Sequence, residues 1–384
     1  MNTNHDYESF QFLEAGSDFE KFDLPDDHTG DPYLVPLSEG DETRAEEFIE
    51  NNTIISLHDH TSYLPEEMDR RGEYTRQGHV ITPYDLLADS PLDVAFVNLM
   101  GAKTWDETIT NLGMRRSDIA HQDLVTVIED VDDIHDAVAN DQFGYVLGVE
   151  TSMAIENELD RLDVLYGLGL RTIGITYSES NALGTGLADQ DRDGGLTNFG
   201  EQAIERMNKL GFLVDASHAS NQTTLDACEV SDDPLVLSHN GAAELLPIAR
   251  LDPDHVLEAV ADTGGVIGIQ AAPRNTVSPD HPRHGIASVM DHFEYVKDLV
   301  GIDHVAFGPD ANWGDHVGLH EWFDKDLSVY PDWVELDIDY VEGLENPNEA
   351  WTNIVRWLVN EGYSDEEIRK VTGGNVLRVL EEVW

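Results

Sequence analysis

Eight short apolar runs recur along the chain, and longer segments with a helical rhythm separate most of them. They are Thr53-Ile-Ile-Ser-Leu-His58-Asp-His60, Val94-Ala-Phe-Val-Asn98, Tyr145-Val-Leu-Gly-Val-Glu150, Arg171-Thr-Ile-Gly-Ile-Thr-Tyr177, Phe212-Leu-Val-Asp-Ala-Ser-His218, Pro234-Leu-Val-Leu-Ser-His239, Gly265-Val-Ile-Gly-Ile-Gln270 and His304-Val-Ala-Phe-Gly-Pro-Asp310. Continuous apolar runs rich in β-branched residues mark strands buried on both faces, as in parallel sheets. Helical periodicity falls at 42–51, 118–140, 155–168, up to Lys209, from His218 to Cys228, and at 253–262, 286–300, 347–361 and 364–383. Strands alternating with helices predict a parallel sheet, and eight of them predict a closed (β/α)8 TIM-like barrel. Residues 1–40 are acidic, weakly periodic and broken by Gly and Pro, an extension to a barrel domain at 41–384.

Polar residues end these runs, at the face where barrel enzymes build their sites. His58 and His60 alternate with Asp59, so the two imidazoles share one face of the strand. Two further runs end in Ser-His, at His218 and His239, and a third ends in Glu150. Neutral imidazole and carboxylate are zinc-type ligands. A central carboxylate can bridge two ions. His218 and His239 would complete one ion, and His58 and His60 would hold the other. Such a pair shares a bridging water and makes hydroxide available near neutral pH. Asp310 either accepts the water's proton and passes it to the leaving group, or merely caps its strand. The remaining histidines, His316 and His320 among them, read as surface or packing residues. Gly184-Thr-Gly186 and Gly194-Gly195 lack phosphate-loop spacing.

Charge changes the setting rather than the fold. The chain carries 77 Asp+Glu against 22 Lys+Arg, a formal net charge of −55 over 384 residues. The acid is dispersed, which suits a surface adapted to concentrated salt, where self-repulsion is screened. The same charge argues against nucleic acid or anionic membranes as partners. A single cysteine, Cys228, excludes an intrachain disulfide. The polar, acidic start has no apolar signal core, and no run is long enough to span a bilayer. A cytoplasmic location is expected.

The longer motifs resemble the membrane (renal) dipeptidase family of zinc enzymes. They include Gly148-Val-Glu150, Leu168-Gly-Leu-Arg171-Thr-Ile-Gly-Ile-Thr-Tyr177, Gly195-Leu-Thr-Asn-Phe-Gly and Met207-Asn-Lys-Leu-Gly-Phe-Leu-Val-Asp-Ala-Ser-His218. Pro234-Leu-Val-Leu-Ser-His239, Gly264-Gly-Val-Ile-Gly, Gly301-Ile-Asp-His-Val-Ala-Phe-Gly-Pro-Asp310 and Gly373-Gly-Asn-Val-Leu-Arg378 continue the series. The resemblance covers about residues 50–384. It implies two zinc ions per chain bridged by Glu150, with His58 on one and His218 and His239 on the other. It also implies Arg250 gripping the carboxylate of a small substrate, Asp310 as proton shuttle, and a homodimer.

The chain departs from the family pattern at three places. His60 stands where the family usually has Asp, so that position loses one negative charge. Asp59 as a rearranged ligand is the alternative. Tyr177 stands where the family has a substrate-binding histidine, and Ala311-Asn-Trp-Gly314 follows Asp310 without the usual second acid. Three activities are open: hydrolysis of dipeptides, hydrolysis of another small acyl substrate such as an N-acyl amino acid or lactone, and metal binding without catalysis.

Overall fold

The computed structural model describes residues 8–25, 32–99, 103–323, 331–334 and 341–384. Among the described residues, nine strands form one parallel sheet: β1 (Ile55–Ser56), β2 (Val94–Asn98), β3 (Val125–Val127), β4 (Phe143–Val149), β5 (Thr172–Gly174), β6 (Leu213–Asp215), β7 (Val236–Asn240), β8 (Val266–Ile269) and β9 (Val305–Phe307). Eight of them pair in the order β1-β2-β4-β5-β6-β7-β8-β9. The ring closes where Leu57 N donates to Phe307 O at 3.0 Å and Asp310 N to His58 O at 3.0 Å. This is the (β/α)8 barrel.

β3 was not expected. Residues 118–140 read as one helical stretch, but the structure divides them. Helix α1 (Glu39–Asn51) precedes the barrel and α2 (Trp105–Ile119) ends before β3. Helix α3 (Val131–Ala139) then starts from a capping box in which Asp130 accepts from Asp133 N. Val125-Thr-Val is β-branched throughout, which favours the pleated conformation. It pairs with the N-terminal half of β4, Val125 opposite Phe143 and Val127 opposite Tyr145.

The outer helices continue with α4 (Asp160–Gly167), α5 (Asn198–Leu210), α6 (Asn221–Val230), α7 (Asp254–Asp262), α8 (Ile286–Val300), α9 (His316–Phe323), α10 (Pro347–Asn360) and α11 (Asn375–Val383). α5 shows why they form. Thr197 caps it by accepting from Gly200 N, and Ala203, Ile204 and Met207 form its buried stripe. It stops at Gly211, whose φ of +86° favours a residue without Cβ.

Side chains alternate between two cores. Ile55, Leu57, Val94, Phe96, Val146, Leu213, Val236, Val266 and Ala306 pack with Val376, Val379, Leu380 and Val383 of α11. A Cβ on Gly211, just before β6, would lie 3.2 Å from Val383 O, so α11 meets the N-terminal ends of the strands. Leu147, Ile173, Val214, Leu237, Ile267 and Phe307 face outward against Leu162, Met207, Leu257, Phe293 and Trp351. Each buried aliphatic side chain contributes about 1.5–3 kcal/mol. With α11 packed at that end, polar groups collect at the carboxyl ends of the strands.

Before α1, Phe10 N donates to Asp118 Oδ1 at 2.6 Å and Tyr33 N to Glu349 Oε1 at 2.7 Å. Val35 bonds to α10 twice, its N to Asn353 Oδ1 at 2.8 Å and its O from Arg356 Nε at 2.9 Å.

Candidate metal centre

β6 and β7 carry one half of the centre. Buried Asp215, at the end of β6, accepts from Ser217 Oγ (2.5 Å), Ser238 Oγ (2.5 Å) and Ser238 N (3.1 Å). The Ser238 hydroxyl lies 2.8 Å from His239 Nδ1. Its one proton goes to Asp215, so it accepts from Nδ1–H and leaves the Nε2 lone pair of His239 facing the barrel mouth. His218 Nε2 lies 3.0 Å from His239 Nε2. Gly268 on β8 and Gly308 just after β9 both approach Ser238 closely: a Cβ at these positions would lie 2.1 and 2.0 Å from Ser238 O.

β1 and β9 carry the other half. His58 Nδ1 is 3.0 Å from the side-chain amide of Asn98 at the end of β2. Asp310 Oδ1 stands 3.2 Å from His58 Nε2 and 3.1 Å from His60 Nε2. Asp310 holds a φ of +59°, a left-handed conformation that costs non-glycine residues about 1–2 kcal/mol. Strain of this kind collects at functional sites. Asp59 turns away from the mouth. Its oxygens accept from Ala311 N at 2.9 Å and Trp351 Nε1 at 2.8 Å, so it braces the loop after β9.

Glu150, at the end of β4, joins the halves. Its Oε1 lies 3.9 Å from both His58 Nε2 and His60 Nε2, and its Oε2 lies 3.6 Å from His218 Nε2. Ligand atoms of His58, Glu150 and His239 fall within 4.8 Å of one another, and so do those of His58, His60 and Asp310.

The halves differ electrically. Burial pushes the His218 and His239 imidazoles well below their ordinary range, with Arg250 acting in the same direction. Burial would lower His58 too, but the Asp310 and Glu150 carboxylates outweigh it and raise it to about 9. Burial would raise Asp310, yet its contacts with His58 and His60 hold it well below the usual carboxylate range.

Tyr177 packs its ring 4.5 Å from that of His218, and burial pushes its phenol upward. Buried Arg250 donates Nη1 to Ser217 O at 2.9 Å and Nη2 to His239 O at 2.7 Å. Each terminal nitrogen keeps a second N–H.

Four residues of the mouth are not singled out by the sequence. Asp215 looked like an ordinary strand residue. Arg71 lies between the first two apolar runs, where no helical rhythm is marked, and its guanidinium, lowered by burial, feels Tyr177 and Glu150. His316 and His320 read as surface or packing residues, whereas His316 is buried and both ring systems reach Asp310. The His-x3-His spacing was the available signal.

The donor set suits a borderline-soft divalent ion. His58 Nε2 is buried and faces carboxylate oxygens of Asp310 at 3.2 Å and Glu150 at 3.9 Å, an arrangement that suits a nitrogen placed to ligate. The fold and site define the class: a (β/α)8 barrel whose histidines and carboxylates converge, as a candidate metal centre, at its carboxyl-terminal face. Within that class the chain belongs to the membrane dipeptidase family, peptidase family M19, whose pattern it matches over residues 44–384. It is 32% identical over 241 residues to the dipeptidase aclJ of Aspergillus oryzae, covering 62% of this chain and 51% of that one. It is 28% identical over 264 residues to the dipeptidase tcpJ of Claviceps purpurea, covering 68% and 56%. The chain thus spans about half the length of these curated relatives. Among solved structures, an amidohydrolase from Pseudomonas aeruginosa shares the fold with a TM-score of 0.73 at 24% identity, covering 88% of this chain and 99% of that one. A metallopeptidase from Rhodobacter sphaeroides, solved with a phosphinate mimic of the dipeptide L-Ala-D-Ala, aligns with a TM-score of 0.61 at 19% identity, covering 92% and 91%.

Proposed function

We propose that this chain is a zinc-dependent dipeptidase. The observation that carries the reading is the Glu150 carboxylate, set with one oxygen toward His58 and His60 and the other toward His218. Those four residues, with His239, would hold two ions. When bound, the ions supply Lewis acidity for the scissile carbonyl and hydroxide from water at neutral pH. The rest of the chemistry belongs to the chain. The two free N–H groups of Arg250 present a fork to the terminal carboxylate of a small substrate. Tyr177, kept protonated by burial, donates to the developing oxyanion. Asp310 carries a proton from water to the leaving amine. The family names of the curated relatives support a dipeptide as substrate.

A second reading rests on Tyr177. A phenol beside His218 reaches differently from an imidazole, which favours another small acyl substrate such as an N-acyl amino acid or lactone.

The test is turnover of a mixed L- and D-dipeptide panel by protein purified in high salt, with and without chelator. Chelator-sensitive dipeptide hydrolysis is expected. In Arg250→Ala, KM should rise roughly 100-fold or more for carboxylate substrates with a smaller effect on kcat. Turnover confined to N-acyl amino acids or lactones would favour the second reading, and bound metal without turnover would reject both. The dispersed charge of −55 supports a salt-adapted cytoplasmic enzyme. Its Tm should rise between low and molar salt, and equal melting in both would reject that part.

A further inference from the structure

Helix α9 begins just beyond Asp310. Asp315 starts it by accepting from Gly318 N at 2.8 Å. His316 and His320, four apart, share one helical face, with ring centroids 4.9 Å apart. One ligand atom from each of Asp310, His316 and His320 lies within 4.8 Å of the other two.

His316 is fully buried, and neither Nδ1 nor Nε2 has a hydrogen-bond partner among the described residues. A buried polar group left unpaired costs about 1–3 kcal/mol. Two other buried histidines show what a packing role looks like. His284 places Nε2 at 2.9 Å from Ala271 O and Nδ1 at 3.4 Å from Ser288 Oγ. His292 places Nε2 at 3.1 Å from Val277 O and accepts from Ala242 N at 3.0 Å through Nδ1. His316 lacks such partners and faces a carboxylate and a second imidazole instead.

We propose that Asp310, His316 and His320 form a third metal position for a zinc-class divalent ion, beside the two held around Glu150. Two imidazoles and one carboxylate are a common three-ligand zinc set, and paired histidines four apart on a helix are a common way to present them. Asp310 keeps Oδ1 toward His58 and His60 for carrying the proton, and its second oxygen is the one it would give this ion. An ion here ties α9 and the loop 311–315 to the end of β9, one wall of the mouth. The proposal does not depend on the substrate.

The test is metal counting on the full chain. The protein is stripped with chelator, dialysed against buffered Zn2+, and counted by mass spectrometry. The visible absorption of a Co2+-loaded sample is recorded in parallel. Wild type should hold three ions per chain, while His316→Gln and His320→Gln should each hold two and lose one component of the cobalt spectrum. Circular dichroism and melting identify which variants are folded, and either folded variant suffices. Two or fewer ions in wild type overturn the proposal even if neither variant folds. Three ions in wild type and still three in a folded variant overturn it as well. A fall from two to one in the variants also overturns it, because these histidines would then serve one of the two ions. Failure of dipeptide turnover leaves the count untouched and bears only on the proposed function.

Discussion

The two halves of the candidate metal centre are built differently. His218 and His239 leave adjacent strands, and one buried acid, Asp215, ties both serines that precede them. Their imidazoles are held neutral by burial. His58 and His60 leave a two-residue strand and take their support from distant parts of the chain: Asn98, the loop after β9 and Trp351 on α10. Their counter-charge, Asp310, sits on a strained backbone. The contrast teaches that the β6–β7 half is a rigid, preformed ligand pair, while the β1–β9 half is assembled by tertiary contacts and charge.

The sharpest challenge to this contrast removes the group both halves share. Glu150→Gln should cut kcat/KM by about 10³-fold or more and lower metal content in both halves, as titration with a chromophoric chelator would record. If it emptied one half alone, the halves would not be joined through this carboxylate. Next in size is the brace. Asp215→Ala should weaken one bound ion by about 10–100-fold, the usual cost of removing an outer-sphere partner, and leave the other near its wild-type affinity. Equal loss at both ions would mean that Asp215 supports the whole mouth. The smallest effect lies in pH. With His58 raised to about 9, binding in its half displaces a proton at pH 7. Affinity there should climb with pH between about 7 and 9, by up to about tenfold per unit, and flatten above. His218 and His239 are already neutral, so their half should be nearly flat over that range. Isothermal titration in two buffers of different ionisation enthalpy would count the released protons, and the same count at both ions would erase the distinction.

The barrel strands and their ends were legible because their signature is local. A strand buried on both faces must be apolar throughout, so Val94–Asn98 and Tyr145–Glu150 announce themselves, and a polar residue closing such a run stands out. His58, Glu150, His218, His239 and Asp310 were all found in this way, and the structure brings them together. β3 was hidden because three β-branched residues between two helices look like helix when read by periodicity alone. Arg250 illustrates another limit: its number in the chain says nothing of the two carbonyls, Ser217 O and His239 O, that orient its guanidinium.

What the sequence by itself determined is the alternation of buried strand and amphipathic helix, and the ligand types at the strand ends, because both follow from periodicity and side-chain chemistry. What only the tertiary structure decided is which polar groups meet. Asp59 sits between two candidate ligands and points away, because Ala311 N and Trp351 Nε1 claim its oxygens. His316 lies in a loop-like acidic stretch and yet is buried beside Asp310, because ring closure between β9 and β1 and the turn at Asp315 carry α9 back over the mouth. Long-range closure of this kind has no local signature, so the chain has to fold before those side chains become neighbours.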